Sequence, residues 1–194
     1  MELNLELTLP TSINKLYINQ VKYNPKVKTF VPTGKRIMSE QGKKVKKQIQ
    51  SEATKQLKNQ EWDYEYTKTN YIYMDTIIYF TRTNSDDNNI YKLLCDSLEK
   101  ITYENDSRVL VRTQRIYYSA SNPRVEVKLS PVEYIGIFDN QDILNEFESK
   151  CKTCNRYARN CSILNKAKEG RIQEEIDDTY TCLKYKEIKT KKGK

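Results

Sequence analysis

Leu3, Leu5, Leu7 and Leu9 alternate with Asn4, Glu6 and Thr8, the period-two pattern of a strand with one buried face, and Pro10 closes it. Residues 11–38 show no such period. Pro25, Pro32 and Gly34 interrupt a run of basic and aromatic residues, which predicts a long irregular segment, and long loops in compact domains tend to carry function. From Ser39, a suitable N-cap, Val45, Ile49, Ala53 and Leu57 recur every fourth residue. That spacing predicts an amphipathic helix to about residue 59 with Lys43, Lys44, Lys46 and Lys47 around its outer face.

Residues 71–83 are dense in β-branched and aromatic side chains, which predicts a strand of a well-buried sheet. Asn84, Ser85 and Asp86 then offer caps for a helix with Ile90, Leu93, Leu94 and Leu98 on its inner face. Residues 109–118 and 124–129 read as two strands joined by a turn at 119–123, a hairpin. After Pro131 come a short apolar element and a helix over 142–150, and a cysteine-rich stretch starts at Cys151. The fold class expected is α/β (α+β): a small mixed sheet with two or three packed helices, plus a small C-terminal subdomain. The expected divisions are 1–138, a cysteine-rich helical appendage over 139–183, and a basic flexible tail over 184–194.

Composition narrows the chemistry. The chain has 194 residues, 31% of them charged, and no histidine, which removes imidazole as base, nucleophile partner or metal ligand. Any catalysis rests on carboxylates, Lys, Tyr, Cys or a metal. No apolar run approaches the roughly 18 residues that span a bilayer, and the start lacks the basic-then-apolar layout of a signal peptide. The expectation is a cytoplasmic protein without a membrane partner. Residues 1–60 carry a net +8 and residues 183–194 a net +5, so within a total of +8 the middle carries −5. Basic flanks around an acidic centre suit a protein that grips a polyanion and works on it with a metal.

Asp86 and Asp87 stand at the expected strand-to-helix junction, followed by Asn88, Asn89 and Lys92, with Asp106 just before the next strand. Oxygen ligands of this kind suit Mg²⁺, which takes carboxylates and keeps several waters. The same acids can instead cap the helix, where negative charge is favoured by its dipole. At these residues the chain resembles the RusA family of Holliday junction resolvases, crossover junction endodeoxyribonucleases found largely in phages and prophages. The family's Asp-x-Asp-Asn-x-x-Lys run falls on Asp86, Asn88, Asn89 and Lys92, its Leu-rich helix with an internal Asp on Asp96 and Leu98, and its Asp-Asp pair on Asn105 and Asp106. The opening LPTSINKLY and the stretch GKRIMSEQGKKVKK also resemble the family's Pro-Ser-x-Asn start and Ser-x-Glu-Gly helix start, so the resemblance covers about residues 3–130. Two positions depart from the pattern: Asn88 and Asn105 are amides where the family has carboxylates, which lowers the charge offered to a metal.

The resemblance implies a homodimeric endonuclease acting on four-way or other branched DNA in the host cytoplasm, with no small-molecule substrate. Asp86, Asn88 and Asp106, with Asp87 as a possible addition, would hold Mg²⁺ or Mn²⁺. Lys92 would stabilise charge on the phosphate, and Lys15, Lys35, Arg36, Lys43, Lys44, Lys47 and Arg82 would contact DNA. Asn88 and Asn105 also motivate an alternative, a junction-binding accessory protein with an impaired metal site. A protein-interaction module that docks through its cysteine end is the other alternative.

Cys95 reads as a buried structural thiol. Cys151-x₂-Cys154-x₆-Cys161-x₂₀-Cys182 begins with the CxxC spacing of a structural zinc site, and without histidine such a site is Cys₄. Zinc, an iron–sulfur cluster and four reduced thiols are the choices in a reducing compartment. Zinc is the expectation, with metal binding supplying the folding energy of an appendage that buries little by itself. Between Cys161 and Cys182 the pattern predicts a helix with Ile163, Leu164, Ala167 and Ile172 turned inward, broken or frayed at Gly170.

Overall fold

The computed structural model of the chain describes residues 1–157 and 159–188, so residues 189–194 of the expected basic tail lie outside the described residues. The chain folds as two units, Met1–Pro131 and a second that begins at Val132. No helix among the described residues is long and apolar enough to cross a membrane.

The first unit is the expected α+β arrangement. Strand β1 (Leu3–Thr8) buries Leu3, Leu5 and Leu7 as its alternation requires. Helix α1 (Ile13–Leu16) is a single turn, and β2 (Tyr17–Asn24) and β3 (Thr29–Met38) pair antiparallel as a separate two-stranded ribbon. Helix α2 (Glu40–Leu57) starts where the sequence placed it: the Ser39 Oγ accepts from the Gly42 N–H at 3.1 Å, and Ile49 and Ala53 are buried. Strand β4 (Ile72–Phe80) buries Ile72, Met74, Thr76, Ile78 and Phe80 on one face. Helix α3 (Asn88–Leu98) buries Ile90, Leu93, Leu94 and Leu98. Strands β5 (Val109–Tyr118) and β6 (Arg124–Pro131) complete a mixed sheet of order β1-β6-β4-β5. The inner faces of β1, β4 and β6 share one apolar core with α2 and α3.

Two expectations are corrected here. Residues 109–118 and 124–129 are strands but not a hairpin, because β4 lies between them, parallel to β5 and antiparallel to β6. The turn after β5 carries the chain across the end of β4, where the Ser119 N–H donates to the Phe80 carbonyl at 2.7 Å. Strand β4, buried at five positions on one face and half-buried on the other, takes an inner place in the sheet, and β5, exposed along its second half, takes the edge. Residues 11–38 are not irregular either. Neither face of the β2–β3 ribbon is buried, so its side chains lack the alternation that one-sided burial imposes. The prolines and glycine mark real features: Pro25 opens the connecting turn, and Gly34, at φ +75°, lies in the bulge where residues 33–35 of β3 face Gln20 alone.

The open edge of β1 is covered by side chains of α2 and its exit. Gln56 accepts from the Glu6 N–H at 2.9 Å and donates to the Glu6 carbonyl at 2.7 Å. Gln60 does the same for Asn4 at 2.9 and 2.7 Å, and Glu52 accepts from the Thr8 N–H and hydroxyl. A row of carboxyl and amide groups spaced by four residues thus takes the place of a neighbouring strand on an edge that would otherwise template aggregation.

The second unit has an apolar core of its own. Phe138 packs with Leu144 and Phe147 of α4 (Gln141–Lys152) and with Leu164 and Ala167 of α5 (Ile163–Lys168). The Phe138 ring lies 5.2 Å from Phe147 and 5.7 Å from Tyr180. Gly136, at φ +62°, is required in this place, since a Cβ there would stand 2.0 Å from the Ala167 carbonyl oxygen. The helix breaks at Gly170 as expected, α5 stopping at Lys168 and Gly170 turning left-handed at φ +75°, but Ile172 does not face inward: it lies beyond the break and is 89% exposed.

Replacing Gln56 with Ala removes two hydrogen bonds from the β1 edge, and urea unfolding of the first transition is expected to show a loss of about 1–2 kcal/mol. An unchanged midpoint would mean that water substitutes fully for the amide.

Candidate active site

Helix α3 presents its polar side at the end of the β4–α3–β5 crossover, with the turn Asp106–Arg108 leading into β5. The apolar stripe of α3 fixes its rotation, so Asn88, Lys92 and Asp96, four residues apart, share the opposite side. Asp87 occupies the N-cap position without a capping bond; the Asp86 carboxylate takes that role, accepting from the Asn88 N–H at 3.0 Å and from the Asn89 amide at 3.2 Å. Asp86 and Asn88 are exposed.

Lys92 is the centre of a second group. Its Nζ lies 2.7 Å from the Asp96 carboxylate and 4.0 Å from that of Asp106. The hydrogen bond that the ammonium donates to Asp96, aided by the charges of Asp96 and Asp106, holds it above the ordinary lysine value against the opposing effect of burial. Lys92 is therefore a fixed cation and not a base. Asp106 is set in place by its predecessor: the Asn105 side chain accepts from the Ser107 N–H at 2.9 Å and caps the short turn. Asn105 thus serves the backbone.

Asp87 belongs to a third group. Its carboxylate accepts from the Thr113 hydroxyl of β5, which meets the Tyr91 hydroxyl, which meets the buried Thr76 of β4 at 2.7 Å. This chain ties the front of α3 to two strands. Burial pushes the Tyr91 hydroxyl above its usual range, so it stays protonated as a link.

The sequence placed Asp86, Asn88, Lys92 and Asp106 in one site. The structure puts all four on α3 and its flanks and joins Lys92 to Asp106. Among the described residues no three Cys, Asp or Glu side chains form a group that could hold a metal. The expected donor set needs only two, since Asp86 and Asp106 are the carboxylates and Asn88 is an amide. Mg²⁺ is commonly held by one or two carboxylates with water and substrate phosphate filling its other positions, so these oxygen donors fit the ion. Asp96 was named from the family pattern without a role; its i, i+4 spacing from Lys92 is the signal that finds one. Thr113 and Tyr91 were missed, because only the β4–β5 register brings them to Asp87.

The basic residues expected to contact DNA are all exposed. Lys15, Lys35 and Arg36 lie on α1 and the ribbon, Lys43, Lys44 and Lys47 on α2, and Arg82 follows β4. Lys43 pairs with Glu40 at 2.7 Å, and Arg36 stands 5.7 Å over the Tyr17 ring.

The zinc expectation is corrected. Cys151, Cys154, Cys161 and Cys182 do line one groove of the second unit, and all are reduced. Among the described residues no three of these cysteines form a group that could hold a metal, so the structure gives a zinc site no support. Burial and the nearby cysteines push the Cys151 thiol up to about 11. Burial also pushes on Cys154, but N–H groups of Lys186, Arg156 and Tyr157 at its sulfur bring it below the ordinary value. This unit has an apolar core around Phe138. Cys95 is the buried thiol expected, raised by burial to about 11.

Side-chain ammonium NMR is expected to find Lys92 titrating above the ordinary lysine value. Its positive charge persists below that raised pKa and is lost only as pH climbs through it; Asp96→Asn removes the leading cause and brings the titration back down. A Lys92 titration unmoved by that change would show that Asp96 does not hold it.

Residues 17–130 match the family model of endodeoxyribonuclease RusA, a stretch that runs from the start of β2 nearly to the end of β6. Comparison with curated proteins gives no match. The matched stretch is more than half of the chain and carries Asp86, Asn88, Lys92, Asp96 and Asp106 together, and the chain belongs to the RusA endodeoxyribonuclease family.

Proposed function

We propose that this protein is a divalent-metal-dependent endonuclease that cuts branched DNA, four-way junctions included, as a homodimer. The observation that carries the reading is the Lys92 cation fixed by Asp96 and Asp106 inside the stretch that matches the RusA family. Asp86, Asn88 and Asp106 would hold Mg²⁺ or Mn²⁺, with Asp87 kept back by Thr113. Bound there, the ion supplies a water of lowered pKa and a positive charge for the phosphate.

The chain's own groups do the remainder. Lys92 stabilises the extra negative charge that develops on the phosphodiester as the bond to the leaving oxygen breaks. Because Lys92 keeps its proton at neutral pH, it is an electrostatic group throughout. Asp96 positions Lys92, and Asn105 positions Asp106. The exposed lysines of α2 and the basic ribbon attract phosphates without reading sequence, which makes binding steeply dependent on salt. Two-fold symmetry, the commonest arrangement of soluble oligomers, would set two such sites on the two opposed strands of a junction. The protein would act in the cytoplasm of a phage-infected or prophage-bearing host.

Asn88 favours a second reading. An exposed amide in place of a carboxylate leaves the site one charge poorer, and a junction-binding accessory protein would tolerate that loss. A synthetic four-way junction with Mg²⁺ or Mn²⁺ separates the two. Wild type is expected to nick, Asp86→Asn and Asp106→Asn to lose about 100-fold or more in rate, and Asn88→Asp to nick at lower metal concentration. Tight binding with no nick under either metal, and nicking gained by Asn88→Asp, would assign recognition alone.

A further inference from the structure

The β2–β3 ribbon has no partner within its unit that buries either face. Ile18, Val21, Tyr23, Val27 and Phe30 are exposed, Phe30 to 65% and Tyr23 to 56%, and a lone two-stranded ribbon is marginal in water. Its apolar groups are not scattered. Tyr23 sits opposite Phe30 and Val21 opposite Pro32, so these four share one face at the far end of the ribbon. The two rings meet edge to face at 5.6 Å. Just beyond them the turn exposes Val27 between Lys26 and Lys28, with Lys28 in the left-handed region at φ 50°.

Charge selects the occupant of this face. Between Thr11 and Ser39 there are six basic residues, Lys15, Lys22, Lys26, Lys28, Lys35 and Arg36, and no acidic one. Such a surface repels a second copy of itself and attracts a polyanion. Intact duplex DNA offers phosphates to the lysines but keeps its base faces stacked away from Tyr23 and Phe30. A branch point offers both, because bases at the crossover can unstack onto aromatic or apolar side chains at modest cost.

The root of the ribbon is held rigidly next to the candidate active site. The Ser39 N–H donates to the Leu16 carbonyl at 2.8 Å and the Ser39 hydroxyl donates to the Lys15 carbonyl at 3.0 Å, so one residue clamps the segments that enter and leave the ribbon. Leu16 is buried against Gly42, where a Cβ would stand 2.7 Å from its methyl group. Helix α1, which leads directly into β2, packs on α3, the helix that carries Lys92. At about 3.3 Å per residue the ten residues of β3 extend roughly 30 Å from that root.

We propose that the ribbon is a branch-sensing wedge, with Phe30 and Tyr23 stacking on unpaired bases at a DNA crossover while its lysines follow the backbone. The proposal rests on the nuclease reading above and adds to it the element that tells a junction from a duplex. The relation is one of geometry: the wedge sets where the branch point lies relative to Lys92.

A four-way junction carrying 2-aminopurine at the branch point, with a linear duplex of the same sequence as control, tests this in Ca²⁺ so that binding is read without cleavage. Wild type is expected to change the 2-aminopurine fluorescence on the junction and not on the duplex. Phe30→Ala and Tyr23→Ala are expected to abolish that change and to cost about tenfold or more in junction affinity, leaving duplex affinity and the salt slope as they were. Lys28→Ala is expected to lower the salt slope by about one with the preference for junctions retained. Because these side chains are exposed, the variants are expected to unfold thermally as wild type does. Full junction affinity and an unchanged fluorescence response in Phe30→Ala would overturn the wedge, and the nuclease reading would survive if that variant still nicks in Mg²⁺. A shift of Phe30→Ala from dimer to monomer in sedimentation would assign the face to a second copy and overturn the proposal too. Wild type that neither prefers nor cuts junctions would remove the nuclease reading itself.

Discussion

The packing of α3 against the inner face of the sheet decides where Asn88, Lys92 and Asp96 point. Ile90, Leu93, Leu94 and Leu98 are buried, each worth about 1.5–3 kcal/mol of burial, and that stripe leaves α3 one rotation about its axis. Asn88, Lys92 and Asp96 then have to lie on the far side. The Asp87–Thr113–Tyr91–Thr76 chain of hydroxyls and carboxylate fixes the helix along the strands as well. A catalytic constellation built on a helix held in both senses is more precise than one carried by a loop. Lys92 gains most, since its position between Asp96 and Asp106 depends on both constraints.

Helix α2 serves three neighbours from three sides. Ile49 and Ala53 enter the core, the series Glu52, Gln56 and Gln60 covers the edge of β1, and Lys43, Lys44 and Lys47 face outward. Its first turn also holds the ribbon through Ser39 and Gly42. A displacement of α2 would therefore reach the sheet edge, the basic surface and the root of the ribbon together. The second unit stands on different grounds, an aromatic core around Phe138 beside a groove lined by four reduced cysteines.

What could be read in the sequence follows from where burial is one-sided. The Leu3–Leu5–Leu7 alternation, the fourth-residue stripe of α2 and the inner face of α3 all reported an apolar core, and each element formed within a few residues of its expected bounds. The ribbon was hidden because both of its faces meet solvent. The pairing of β5 with β4 was hidden because adjacency in sequence favours a hairpin, while the order of strands is settled by which one needs burial on its inner face most. The candidate site was legible as a run of residue types around Asp86, Lys92 and Asp106. Its internal division was not: Asn105 as a cap and Thr113 as the partner of Asp87 depend on turn geometry and strand register. The cysteine spacing pointed to a metal-closed appendage, and Ile172 to an inward-facing position, because a CxxC and an apolar residue at helical spacing look the same whether or not the chain closes around them; the break at Gly170 was legible from the glycine itself. Phe138, Phe147 and Tyr180 form an aromatic core that the cysteine spacing did not announce.

A metal-dependent cut confined to branched DNA is the central claim, and a plasmid with an extrudable inverted repeat tests it in a single molecule. Incubated with the purified protein and Mg²⁺, the supercoiled form should be cut at the base of the cruciform, opposed strands together, to give linear product, while the relaxed plasmid and the supercoiled plasmid in EDTA stay intact. Equal cutting of relaxed and supercoiled forms, or cutting that persists in EDTA, would contradict it.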